Sequence, residues 1–187
     1  EHPRTLKRRV RVRRDFRPLP DHHPGEHPRQ LRLALQPGMQ RALKPVRIAR
    51  IASDTVFLRS GPNVGDDQAG YELRLDKDVL VTLVAQVGNI YQVKLSDLEY
   101  VWIDDYAVKL LPKQTPVPES LVNAWTVRRA VRSTLIHNPL QELLPYRVTV
   151  SPDGRSLSLK IYGGVSNTDW IHYASGDPWI RQARWSH

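Results

Sequence analysis

The sequence predicts an all-β chain: a small barrel, then a second β-domain within which the chain stops, with a basic extended arm in front. Three observations carry this reading. Apolar residues recur in short alternating stretches, the period of half-buried strands rather than of helices. Gly, Pro, Asn and Asp punctuate those stretches at short intervals, as in small barrels and sandwiches. Finally, the front of the chain is Pro-rich, with five Pro in the first 28 residues, which leaves no room for a long helix there.

The arm comes first, at residues 1–45. Five Pro within the first 28 residues preclude a long helix, because each lacks an N–H and restricts the residue before it. The stretch Leu6-Lys-Arg-Arg-Val-Arg-Val-Arg-Arg14 alternates briefly, so Arg9–Arg13 is a candidate edge strand. Leu31, Leu33 and Leu35 alternate with polar or small neighbours up to Pro37-Gly38, which predicts a strand at 31–35. Residues 1–50 carry 14 Lys and Arg against four acids, and residues 51–187 carry 14 against 15. The net charge of +9 is therefore a near-neutral body with a cationic arm. The chain opens at Glu1 with no Met and no apolar leader, so a signal segment is expected to have been removed upstream.

The first domain is expected at 46–112. Strand patterns occur at Val46–Ile51, Val56–Arg59, Val79–Val84, Ile90–Leu95, Tyr100–Ile103 and Ala107–Leu110. Between them lie Gly61-Pro62-Asn63, Asp66-Asp67, Gly88-Asn89 and Asp104-Asp105, which supply turn chemistry. A Pro-rich segment at 113–119 then reads as an extended spacer. In the second domain, at 120–187, the best-marked feature is a hairpin. Val148 and Val150 share a face, as do Leu157, Leu159 and Ile161 on the return, and Pro152-Asp153-Gly154 turns the chain.

Composition closes off several chemistries. The absence of Cys removes disulfides, thiolate metal sites and cysteine nucleophiles. No stretch reaches the ~18 apolar residues of a spanning helix, so no membrane span is expected. His22, His23, Glu26 and His27 are close in sequence but lie in the Pro-rich arm, where no scaffold would fix ligand geometry. Gly163-Gly164-Val165-Ser166 lacks the strand–elbow–helix setting of a serine nucleophile. Asp169 and Asp177, beside Trp170 and Trp179, read as turn and capping residues rather than a paired-carboxylate site. No catalytic residue, metal site or cofactor is assigned to this chain.

The segment Thr55-Val-Phe-Leu-Arg-Ser-Gly-Pro-Asn63 resembles the opening motif of bacterial SH3-like domains. Gly88-Asn-Ile-Tyr-Gln-Val-Lys-Leu95 resembles their Gly-x-Trp-x-x-Val stretch, with Ile90-Tyr91 in place of the Trp. Val101-Trp102-Ile103 resembles the closing Gly-Trp-Val, with Val101 in place of the Gly. Downstream, Leu144–Val148, Leu157–Gly163 and Ser166–Ile171 resemble a β-region of bacterial cell-wall amidases. In those enzymes it lies between an SH3-like domain and a zinc-dependent N-acetylmuramoyl-L-alanine amidase domain. The resemblance covers about residues 46–187 and implies the non-catalytic front of such an enzyme. It also implies a peptidoglycan hydrolase as parent protein and a place in the periplasm or cell wall.

The same resemblance implies a groove near Tyr71, Tyr91, Trp102 and Tyr106, with Arg59 and the acids Asp104 and Asp105 at its edges. Aromatic faces there suit a peptide or glycan, although Trp102 and Tyr91 also suit the core. Trp170, Tyr173, Trp179 and Trp185 either cover a core or form a binding patch. The arm residues Arg8, Arg9, Arg11, Arg13 and Arg14 suit an anionic envelope polymer or lipid headgroups, a nucleic acid, or solvent alone. Nucleic acid is disfavoured, since Phe16 is the arm's only aromatic. The expected partner is peptidoglycan or another envelope polymer, with the arm or Trp-rich end available to a protein. The competing readings are a structural envelope subunit and a cytoplasmic nucleic-acid-binding SH3-like protein.

Overall fold

The computed structural model describes residues 6–13, 40–62, 70–123, 125–130, 133–167, 171–173, 180 and 182–184. For 6–13, 130 and 171–173 it describes the backbone only. The strands are β1 (Leu6–Arg13), β2 (Arg41–Ile51), β3 (Thr55–Arg59), β4 (Tyr71–Asp76), β5 (Leu80–Val87), β6 (Ile90–Lys94), β7 (Tyr100–Asp104) and β8 (Val108–Leu110). They continue with β9 (Ser120–Val122), β10 (Trp125–Ala130), β11 (Ser133–Leu140), β12 (Tyr146–Val150), β13 (Leu157–Ile161), β14 (Gly164–Ser166) and β15 (Ile171–Tyr173). A 3-10 turn at Asp105–Ala107 joins β7 to β8. The chain is all-β.

Seven strands form one sheet in the order β4-β3-β7-β6-β5-β2-β8. Alternation decides its inner face. Val79, Val81 and Leu83 are buried on β5 and its approach, Val93 on β6, Val101 and Ile103 on β7, and Leu58 on β3. Among the described residues the expected barrel is not hydrogen-bonded all round: β4 and β8 are the two ends of the sheet. The three residues of β8 are used up in pairing with Ala49–Ile51 of β2, whose other side holds β5. β2 starts at Arg41, earlier than the expected Val46, and its register with β5 is interrupted between Ala42 and Arg47. Pro45, which has no N–H to give the ladder, falls inside that interruption. β4 was not anticipated, although Leu73 and Leu75 alternate with Glu72 and Arg74.

The second half of the chain, joined by β1 from the arm, forms a four-stranded sheet, β1-β11-β10-β15, and two small ribbons, β12-β13 and β14-β9. The Arg-rich piece of the arm does add an edge strand, over the longer span Leu6–Arg13. The expected hairpin forms with Val148 opposite Leu159 and Val150 opposite Leu157, and Gly154 takes φ +68 at the turn. The expected strand at 31–35, Arg14, the arm histidines, Trp170, Trp179 and Trp185 lie outside the described residues.

The two halves share a core. Leu143 and Tyr162 belong to the same buried cluster as the inner face of the first sheet, and Leu80 N–H donates to Leu143 O at 2.8 Å. Polar contacts ring that junction. Tyr162 Oη donates to Glu99 Oε2 at 2.6 Å, and Lys160 Nζ pairs with Glu99 Oε1. Arg147 donates to Glu72 at 3.1 Å, and Tyr146 Oη donates to Asp76 at 3.1 Å.

The hydrogen bond from Lys160, reinforced by Tyr162, holds the Glu99 carboxyl below its ordinary value of 4.5. A carboxylate stabilised in the fold contributes above its unfolded pKa and loses that contribution as pH falls through the lowered folded value. The unfolding free energy should therefore decline below about pH 4.5, and Glu99→Gln should flatten that acid limb in urea titrations at stepped pH.

Gly163-Gly164, rejected above as part of a nucleophile, has a packing role. Gly163 takes φ +75, and a Cβ on Gly164 would sit 2.8 Å from Val122 Cγ2 on the neighbouring β9. Gly164→Ala should cost about 1–3 kcal/mol through overpacking, read as a lower thermal midpoint.

Candidate binding face

The two faces of β7 separate core from site. Val101 and Ile103 enter the main core, so Trp102 and Asp104 fall on the opposite face. Arg59 lies directly opposite Trp102, and Tyr71 directly opposite Arg59, which places all three on that same face. Tyr71 reaches it through a β-bulge. The β3–β4 register shifts between Leu58 and Arg59, so Leu73 pairs with Leu58 on the core side while Tyr71 pairs with Arg59 outside. Without that shift, Tyr71 and Leu73, two residues apart, would share a face.

The resulting arrangement is a charge pair between aromatic rings. Arg59 binds Asp104 with both guanidinium arms, Nη1 to Oδ1 at 3.0 Å and Nη2 to Oδ2 at 2.8 Å. Tyr106, on the 3-10 turn, donates its hydroxyl to Asp104 Oδ2 at 3.2 Å. Tyr71 stands over Phe57 with ring centroids 5.4 Å apart and planes tilted by 53°. Tyr71 is 72% exposed and Tyr106 76%, whereas both side chains of the Arg59–Asp104 pair are less than a fifth exposed. The rigid pair lies low, and the rings stand proud beside it.

Electrostatics fixes the protonation states. The Asp104 hydrogen bond, with its charge, raises the Arg59 pKa further above the normal range. The Asp104 charge, followed by the hydrogen bond it accepts, raises the Tyr106 pKa, so the phenol stays protonated and a donor. Such a face can stack on the apolar side of a ring or chain while its fixed dipoles orient polar groups at the edge.

Of the groove residues expected from the sequence, Arg59, Tyr71 and Tyr106 come together. Trp102 lies on the same face but is buried against Val87 and Ile90, where it forms the floor. Tyr91 pairs with Ile103 and packs half-buried against the main core, on the other side of the sheet. Asp104 takes the central position, and Asp105 starts the 3-10 turn with its N–H donating to Asn89 O. Phe57 was not anticipated, although its position two residues before Arg59 places it on this face. Arg8, Arg9, Arg11 and Arg13 lie in β1, on a different sheet.

No family model, curated protein or solved structure matches this chain.

Proposed function

We propose that this chain is the cell-wall-binding or regulatory region of a zinc-dependent N-acetylmuramoyl-L-alanine amidase, itself non-catalytic and acting in the cell envelope. The observation that carries the proposal is the pair of exposed rings, Tyr71 and Tyr106, beside the half-buried Arg59–Asp104 pair. Sugar rings present apolar C–H faces that stack on tyrosine, and a stem peptide presents amides and carboxylates to a guanidinium edge. Arg59 gives Asp104 one hydrogen bond from each terminal nitrogen, which leaves further guanidinium N–H groups for a ligand. The SH3-like motif at Thr55–Asn63 supports the same reading, since Arg59 belongs to that motif.

The test is co-sedimentation with purified peptidoglycan, set against DNA-cellulose over a salt series. The chain should pellet with peptidoglycan, and Tyr71→Ala/Tyr106→Ala should weaken binding at least tenfold with the thermal midpoint unchanged, because both rings are exposed. Retention on DNA with a steep salt dependence, and none on peptidoglycan, would sink the proposal.

A further inference from the structure

We infer that a second, separate surface, the face of the four-stranded sheet on which Lys7, Arg9, Arg11, Arg13 and Arg128 fall by register, binds a linear phosphodiester polymer without nucleobases. β1 pairs with β11 over eight residues with no shift, so its odd-numbered residues share one face. They lie opposite Ser133, Leu135, His137 and Pro139. On β10 the same face carries Thr126, Arg128 and Ala130, and on β15 it carries His172. No acid occupies any of these positions. The other face of β11 supplies Ile136, Asn138 and Leu140 to a small apolar cavity closed by Leu144, Tyr146, Leu159 and Ile161 around the β12–β13 hairpin. Leu6, Val10 and Val12 fall on that inward face, so the alternation in β1 sorts cations from apolar residues, with Arg8 the exception opposite Asn138.

The shape of the charge distribution selects the ligand. Alternate residues of a strand lie about 7 Å apart, so the positions of Lys7, Arg9, Arg11 and Arg13 span about 20 Å along the outermost strand. Charge concentrated in a line complements a chain with one phosphate per repeat better than a planar field of headgroups. Apart from the imidazoles of His137 and His172, no position on this face is aromatic, and none carries the Phe, Tyr or Trp platforms on which successive bases of a single strand stack. This inference does not depend on the role of the Tyr71–Tyr106 face.

The experiment is a salt series of the whole chain binding poly(glycerol phosphate), beside vesicles of anionic lipid and single-stranded DNA. One phosphate contact for each of the four β1 positions, Lys7, Arg9, Arg11 and Arg13, at about 0.7 each, gives an expected log–log slope of about −3. The transposition Arg11→Val/Val12→Arg keeps the net charge but moves one cation to the inward face, and should reduce the slope to about −2. Arg9→Gln/Arg11→Gln/Arg13→Gln should reduce it to about −1. A transposed variant that binds like the parent would overturn the inference, because charge alone would then suffice. An unchanged slope in the triple variant, or equal or tighter binding to the vesicles or the DNA, would overturn it too.

Discussion

Tyr162→Ala is expected to destabilise the protein by about 3–5 kcal/mol, the range for removing a buried aromatic side chain. Tyr162 is only 4% exposed and sits in the main core although it lies in the turn after β13, in the second half of the chain. Truncation would leave a void at the junction and also remove the hydroxyl that holds Glu99. Tyr162→Phe separates the two contributions: it keeps the ring and should lose about 1.5–3 kcal/mol, the range for a hydrogen bond to a charged acceptor. Because the two halves share one core, denaturation followed by circular dichroism and by tryptophan fluorescence should give coincident single transitions in each protein. Two transitions, or a loss below 1 kcal/mol for the alanine variant, would show that the halves fold separately.

Arg59→Ala should have the second-largest effect, and it acts on both stability and binding. The substitution leaves the Asp104 carboxylate, 17% exposed, with only the Tyr106 hydroxyl among the side-chain donors it has now. The cost should be about 2 kcal/mol, between the ~0–1 kcal/mol of an exposed pair and the ~3–5 kcal/mol of a fully buried one. Arg59→Lys should recover only part of it, since an ammonium cannot reproduce the two-armed contact. In a double-mutant cycle with Asp104→Ala the two losses should fall short of additive by about 1–2 kcal/mol. Affinity for peptidoglycan should fall at least tenfold in Arg59→Ala, because the polar edge of the face and the anchor of the Tyr106 ring go together.

Much of this was legible wherever local chemistry decides the outcome. Pro152-Asp153-Gly154 between two alternating runs specified the hairpin, and its register followed. The alternation Val101, Trp102, Ile103, Asp104 divided core from outer face within four residues. Tyr71 shows where such reading stops. Its arrival beside Arg59 depends on an extra residue in β4, a property of the pairing of two strands that neither strand announces alone. Tyr91 shows the converse: one residue of parity put it on the core side, whatever motif it sits in. The junction around Glu99, Lys160 and Tyr162 joins residues more than sixty positions apart, a distance at which periodicity carries no information.

Whether the face around Arg59 and Asp104 binds cell-wall glycopeptide as proposed is decided by an NMR titration with soluble disaccharide-peptide fragments of peptidoglycan. Saturable shifts of the Tyr71 and Tyr106 ring resonances and of the Arg59 guanidinium are expected, with Tyr91 and Trp125 unmoved. Saturable binding that leaves Tyr71, Tyr106 and Arg59 unshifted, or no binding at all, would contradict the proposal.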